Sequence, residues 1–372
     1  MALYVIIILS TVFCYSLVMF LISSGVRECE ISPDGVSDNS LKVSVIIPFR
    51  NEAKNLPLLV DDLLAQSYPK SLHEVIFVDD HSGDESGAVI DSMISAAPGF
   101  SCLRLLPVSS GKKAALYHGI QNASHDRLIQ VDADCRVGPD FIASHMAFLE
   151  EHPSDLVAGV VTTSRGTGGF LEAFERLDLL ALAGSGAGSF RIGRPMMCSG
   201  ANLAYSRELY METRFFDPVE TIESGDDMFL MIGARKLRRT IAFNTAREAC
   251  VETEPVPTLQ ALLAQRIRWG AKSTHYGMAD IQLFALLVSL TNLSLLLMPL
   301  WLILFTGWWP WLAGGWIVKS LADFVLLYRI SGITSQRGGL LLFLPVSLAY
   351  YPVFLISLVG VLLGRTRWER DG

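Results

Sequence analysis

The sequence predicts an α/β fold, a doubly wound and mostly parallel sheet, set between apolar segments at the two ends of the chain. Three observations predict it. Short β-branched or apolar runs at residues 43–47, 74–78 and 127–131 alternate with helical segments. Each run ends in a polar cluster: Arg50 with Glu52, then Asp80, then Asp132 with Asp134. Uncharged stretches long enough to cross a bilayer lie outside this alternating region.

Taken in order, residues 2–22 carry no charge and span a bilayer by length. No basic stretch precedes them and no small-x-small cleavage site follows, so residues 1–24 read as an uncleaved anchor. A polar linker, residues 25–42, leads into a globular part expected over residues 43–277. Residues 43–47 form a buried strand closed by Pro48, and 56–66 have helical periodicity. A second strand (74–78), a helix (85–96), a weaker strand (101–105), a helix opened by Gly111 and Lys112, and a strand at 127–131 follow.

Composition narrows the class. Of 372 residues, 51% are hydrophobic, and the mean hydropathy of +0.39 is too apolar for an ordinary soluble protein. The formal charge of −7 and the lack of a basic tract exclude nucleic acid as a partner. Six cysteines without metal-type spacing read as free thiols of a reducing compartment, and the seven histidines form no ligand pattern.

The polar clusters carry the chemistry. In a parallel sheet all of them fall on the carboxyl edge, where open α/β folds bind ligands. Asp132 and Asp134, one residue apart, share one face of an extended chain. Holding two like charges there is unfavourable unless a cation lies between them. A divalent metal carrying a phosphate is one reading, and a surface Asx turn is the other. There is no GxGxxG or Walker loop, which excludes an ordinary dinucleotide binder and a P-loop enzyme.

The second half is less regular. Residues 155–162 read as a strand. Residues 170–182 are an amphipathic helix, for the core or for a membrane surface, and the Gly/Ser-rich 184–189 read as a mobile loop. A second acidic pair, Asp226–Asp227, falls at a turn-to-helix boundary. A helix cap needs only one carboxylate, and here there are two. Residues 258–269 form a helix ending in Gln265, Arg268 and Trp269, as an interfacial anchor or as part of a site.

Residues 278–372 form a C-terminal membrane region with apolar segments at 283–305, 308–330 and 340–363, then a short basic tail. Lys319 and Asp323 lie four apart inside the second and are placed to pair toward a bundle interior. Pro345 and Pro352 break up the third. With the globular part cytosolic, three full crossings put Arg365, Arg367 and Arg370 outside, against the positive-inside tendency. A last segment that re-enters or lies in the interface resolves the conflict.

Seven stretches together resemble glycosyltransferase family 2, in its membrane-embedded, processive-type branch. They are VSVIIPFRNE (43–52), EVIFVDDHSGDES (74–86), SGKKAAL (110–116), VDADC (131–135), CSGANLAYSRE (198–208), SGDD (224–227) and QRIRW (265–269). The resemblance implies a GT-A type fold, a UDP-sugar donor, a divalent metal (Mg2+ or Mn2+) and inversion at the anomeric carbon. It implies that Asp80 binds the uracil ring, framed by Pro48 and Arg50 with Glu52 near the same pocket. Lys112 matches a donor-side lysine. Asp132 and Asp134 match the DxD, with Asp132 toward the nucleotide sugar and Asp134 on the metal. Asp227 matches the catalytic base. Gln265, Arg268 and Trp269 match QxxRW, which supports the pyrophosphate and the acceptor. The acidic pair departs from the commoner Thr-Glu-Asp by reading Gly-Asp-Asp, which leaves open how Asp226 and Asp227 divide their roles.

The expected activity is transfer of a sugar to a membrane lipid or lipid-linked acceptor by an integral membrane protein whose catalytic domain faces the cytosol. The alternative is a polysaccharide synthase subunit that extends a glycan with partner membrane proteins. The resemblance argues against a polyprenyl phosphate acceptor, for which QxxRW is not expected. A non-catalytic scaffold retaining the fold predicts lost motif carboxylates, and none is missing.

Overall fold

The computed structural model describes residues 2–31, 40–95, 97–106, 109–164, 168–214, 225–273, 276–298, 300, 303 and 306–363. The tail arginines and Ser224 lie outside the described residues. The chain divides into two compact units, one of Glu28–Ser164 with Met197–Glu254 and one of Met1–Arg27, Arg165–Met196 and Pro255–Gly372.

The first, a sheet unit, is built on seven strands in the order β3-β2-β1-β4-β8-β6-β9. These are β1 (Val43–Phe49), β2 (His73–Asp79), β3 (Phe100–Arg104), β4 (Arg127–Gln130), β6 (Leu156–Gly159), β8 (Leu203–Ser206) and β9 (Ile241–Asn244). A small sheet, in the order β5-β10-β7, is made of β5 (Cys135–Val137), β7 (Val161–Thr163) and β10 (Val251–Thr253). Every residue of β1 is buried, as expected of a central strand covered on both faces. Val43, Val45 and Ile47 pack with Leu59, Leu63, Phe77 and Ile90 in one core. Truncating Phe77 to alanine in such a core costs about 3–5 kcal/mol.

Strands β1, β2, β3 and β4 run parallel, so their carboxyl ends share one edge. Pairing of β1 with β4 stops at Ile46, so Pro48 lies beyond that ladder, where a missing N–H is tolerated. The expected parallel sheet is interrupted once. β8 runs antiparallel to both β4 and β6, which makes the sheet mixed. The single strand expected at 155–162 is two, β6 and β7, in different sheets.

Helices α2 (Leu56–Leu64), α3 (Ser86–Ile94) and α4 (Lys112–Asn122) connect the parallel strands, and α5 (Phe141–Glu151) follows β5. α7 (Arg207–Thr213) and α8 (Asp226–Lys236) complete the unit. α2 begins with Pro57 in its first turn, where the ring suits helical φ and no donor is lost.

The second, helix unit holds α1 (Ala2–Gly25), α6 (Phe170–Arg191), α9 (Leu259–Ser273), α10 (Ala279–Leu296), α11 (Trp309–Ile333) and α12 (Phe343–Leu362). Among the described residues four helices are long and apolar enough to cross a membrane: Val5–Gly25, Ala279–Leu296, Trp309–Ile333 and Arg337–Leu362. The mobile loop expected at 184–189 is instead the second half of α6. Glycines favour loops on local propensity, but here they let helices approach closely. A Cβ on Gly188 would collide with the backbone oxygen of Ile22 in α1, and one on Gly184 would lie 3.1 Å from Leu326 in α11. α6 therefore packs among the apolar helices. Pro345 falls in the first turn of α12, where no N–H is needed, and Pro352 lies inside a helix that continues past it.

Lys319 and Asp323 pair as their spacing predicts, at 2.7 Å, and Tyr15 donates its hydroxyl to Asp323 at 2.7 Å. The Lys319 ammonium also lies 5.1 Å from the centre of the Tyr351 ring. One ionic cluster thus ties α1, α11 and α12.

Candidate active site

At the carboxyl edge of β1 and β2 the chain makes two tight turns. Asn51 and His81 both adopt left-handed φ (57° and 56°), an uncommon conformation held by what surrounds it. The Asn51 N–H donates to Ser82 Oγ (3.1 Å), and its side-chain oxygen accepts from the Gly83 N–H (2.8 Å). Glu52 is drawn into the same lock, its N–H donating to Ser86 Oγ at 2.7 Å, while its carboxylate accepts from Asn55 at 2.8 Å.

Asp80, 5% exposed, accepts the Gly111 N–H on both carboxylate oxygens at 3.0 Å, and Arg50 Nη1 is 3.9 Å from it. Gly111 has φ 92°, a conformation that glycine adopts without strain, and it turns the chain into α4. The next residue, Lys112, places Nζ 2.6 Å from Asp132 Oδ1. Gly111 and Lys112 thus join the Asp80 edge to the DxD.

Lys112 faces a further acidic pair. Burial alone would lower its pKa, yet Asp132, Asp226 and Asp227 raise it well above the usual lysine range. Asp226 accepts from Gln130 Nε2 at 2.8 Å, and Gln130 in turn accepts from the Tyr205 hydroxyl at 3.1 Å. Asp227 accepts from the Gly200 N–H at 3.0 Å and from its neighbour Met228 N–H at 2.7 Å, one on each oxygen. Gly225 before them has φ 100° and opens α8, so both carboxylates sit in the positive first turn of a helix.

Asp134 lies beside Asp132 on the exposed side of the DxD. Two hard oxygen donors with unbalanced charge fit a small divalent cation. Among the described residues no group of three or more His, Cys, Asp or Glu side chains is arranged to hold a metal ion.

The structure thus brings Arg50, Asp80, Lys112, Asp132, Asp134, Asp226 and Asp227 to one edge, with Glu52 in the adjoining turn and Pro48 in the strand beneath. Gln265, Arg268 and Trp269 lie on α9 in the helix unit. The sequence reading missed Gln130 and Gly200, which hold the acidic pair. Gln130 had a signal, as a lone amide ending an apolar strand and 1% exposed. Gly200 sits where a Cβ would lie 3.0 Å from Gln130 Nε2 and 3.4 Å from Asp226 Oδ2.

Residues 44–214 match the family described as glycosyl transferase family 2. Glycosyltransferase AglE of Haloferax volcanii is 32% identical over 136 residues, covering 37% of this chain and 44% of the relative. An N-acetylglucosaminyltransferase of Rhizobium meliloti is 29% identical over 243 residues, 62% of this chain and 55% of the relative. An undecaprenyl-phosphate 4-deoxy-4-formamido-L-arabinose transferase of Yersinia enterocolitica is 31% identical over 121 residues, 31% of this chain and 36% of the relative. The matches thus span about a third to just over half the length of these curated relatives. A mannosyltransferase from Pyrobaculum calidifontis, solved in complex with GDP-Man and Mn2+, superposes with a TM-score of 0.56 at 17% identity, covering 99% of both chains. The chain carries a glycosyl transferase family 2 domain, and its fold is GT-A with apolar helices at both ends.

Proposed function

We propose that this chain is an inverting glycosyltransferase that moves a sugar from a UDP-sugar to a membrane lipid or lipid-linked acceptor. The observation that carries this reading is Lys112, held among carboxylates from two separate segments, the DxD stretch and the first turn of α8, at the ligand-binding edge of the sheet. Carboxylates outnumber the lysine, which suits a site completed by a divalent cation and a diphosphate.

In this reading Asp80 receives the uracil ring between Pro48 and Arg50, with Glu52 bordering the pocket. Lys112 and Asp132 hold the diphosphate side of the donor, and Asp132 and Asp134 hold Mg2+ or Mn2+. The GDP-Man and Mn2+ of the structural relative support a nucleotide sugar and a metal of this kind. When bound, the ion neutralises charge that develops on the diphosphate as the sugar leaves. Asp227 takes the proton of the acceptor hydroxyl on the opposite face of the sugar. Two amide N–H bonds fix its orientation. Asp226 is its neighbour in the chain and is itself held by Gln130. Gln265, Arg268 and Trp269 keep the pyrophosphate and acceptor roles that the resemblance assigns. The sheet unit works on the cytosolic side, where nucleotide sugars are made. The undecaprenyl-phosphate relative makes a polyprenyl phosphate the competing acceptor.

The test uses the full chain in lipid nanodiscs with membrane lipid extract, Mn2+, and a panel of UDP-glucose, UDP-galactose, UDP-N-acetylglucosamine and GDP-mannose. Nucleotide release from one UDP-sugar that depends on the lipid and is lost in Asp227→Asn is expected. Release only from GDP-mannose would overturn the donor. Release unaffected by Asp227→Asn would overturn the base.

A further inference from the structure

Helix α9 carries Gln265, Arg268 and Trp269, and Arg266 lies among them. Its Nε lies 2.6 Å from Asp178 Oδ2 of α6, and the side chains are only 11% and 9% exposed. Its Nη1 donates to Gln265 Oε1 at 3.1 Å. Its guanidinium carbon sits 4.4 Å from the centre of the Trp269 ring. One planar cation thus touches two of the three motif side chains and is anchored by a carboxylate from another helix.

These contacts are not incidental to helical geometry. Side chains at i and i+1 do not face each other on a helix, so the bond to Gln265 draws that amide out of its default direction. Arginine alone among the cations can pair a carboxylate, bond an amide oxygen and stack on an indole at once, because its donors fan out in one plane. Asp178 is well suited as the anchor. Burial pushes its carboxyl up, and the Arg266 charge pulls it back. The same helix is seated on α12, where a Cβ on Gly360 would lie 2.5 Å from Ile267 Cδ1 and one on Gly270 would lie 3.0 Å from Val361 Cγ2. α9 therefore has little freedom to roll, and the aim of its side chains rests on Arg266.

We propose that Arg266, fixed by Asp178, is the positioning residue that aims Gln265 and Trp269 at the acceptor. The proposal rests on the substrate-binding reading of the Gln265–Trp269 motif. Arg266 acts through the other two side chains and needs no contact with substrate. Lysine at this position keeps a charge for Asp178 but loses the fan of donors and the flat face. Asparagine at 178 keeps the shape but removes the anchor.

The test uses the full chain labelled with 5-fluorotryptophan in nanodiscs, with the Trp269 resonance assigned by Trp269→Phe. Arg266→Lys and Asp178→Asn are each expected to move or broaden that resonance. Each should lower kcat/KM for lipid acceptor at least tenfold, with the UDP-sugar that the unaltered chain consumes. The melting temperature stays unchanged in Arg266→Lys, which guards against a folding defect in Asp178→Asn. An unmoved resonance overturns the proposal, as does a fall in melting temperature in step with turnover. Trp269→Ala separates the two layers of the argument. Full turnover in Trp269→Ala sinks the reading of the motif itself. Lost turnover in Trp269→Ala with full turnover in Arg266→Lys overturns the positioning role alone.

Discussion

The two units handle charge in opposite ways. At the sheet edge Lys112 and Asp132 are about 30% exposed (28% and 32%), and Asp134, Asp226 and Asp227 crowd the same cation. In the helix unit Lys319 and Asp323 are 5% and 17% exposed, Arg266 and Asp178 are 11% and 9% exposed, and each of these charges has an opposite partner. A buried one-to-one pair is closed, because desolvation has already been offset by one good contact. An open cluster with surplus negative charge favours a further positive charge near it. Charge balance, more than the presence of ionisable residues, separates a binding edge from a lock between helices.

That contrast can be broken at several points. The largest effect is expected at the open cluster, where Asp227→Asn should cut turnover by roughly 10²–10⁴-fold, the usual worth of a general base. UDP binding, read by calorimetry, should persist. At the closed cluster, Asp323→Asn strands Lys319 and should destabilise the helix unit by about 3–5 kcal/mol in detergent unfolding, whereas Lys319→Met with Asp323→Leu recovers most of the loss. A harmless single change would show that the pair is not a lock.

His145 offers a smaller effect of the same closed kind. It is fully buried, with Nε2 2.9 Å from Asn202 Oδ1, and burial lowers its pKa to about 4. The folded state refuses a proton that the unfolded chain accepts near pH 6.5. Its contribution is therefore present above about pH 6.5, shrinks as pH falls toward 4, and is worth up to about 3 kcal/mol. His145→Asn should flatten that part of the stability–pH profile. Asp134→Ala should weaken UDP binding in Mn2+ about tenfold, or 1.4 kcal/mol, and leave metal-free binding alone. Lys54→Ala removes an exposed pair with Glu254 (3.4 Å, 82% and 47% exposed) and should change stability by no more than about 1 kcal/mol.

Much of the sheet unit was legible because burial on both faces of β1 and β2 writes itself as unbroken apolar runs, each stopped by a polar turn. The site was legible to the extent that parallel strands bring their ends together. Arg50, Asp80 and Asp132 could be gathered from order alone. The link through Gly111 and Lys112 needed coordinates, since one N–H and one ammonium reach two different aspartates. The antiparallel β8 was not legible, because strand direction leaves no mark in a four-residue pattern. Residues 184–189 were misread for a different reason. Local propensity penalises glycine in a helix by about 1 kcal/mol each, and only the neighbouring helices reveal what that penalty allows. Lys319 and Asp323 were legible from spacing, but the hydroxyl of Tyr15 comes from a helix 308 residues away in sequence.

The close crossing at Gly188 and Ile22 bears on how this protein is to be handled at the bench. By hydropathy alone the first helix is an anchor that any hydrophobic tag of equal length could replace. Its backbone is instead pressed against α6, its Tyr15 completes a buried ion pair, and Arg329 closes its end through the oxygen of Ser23 at 3.0 Å. A substitute of equal length and greasiness would reach the bilayer and still leave a gap in the bundle wall. Preparations meant to retain the native assembly should keep residues 2–25 as they stand.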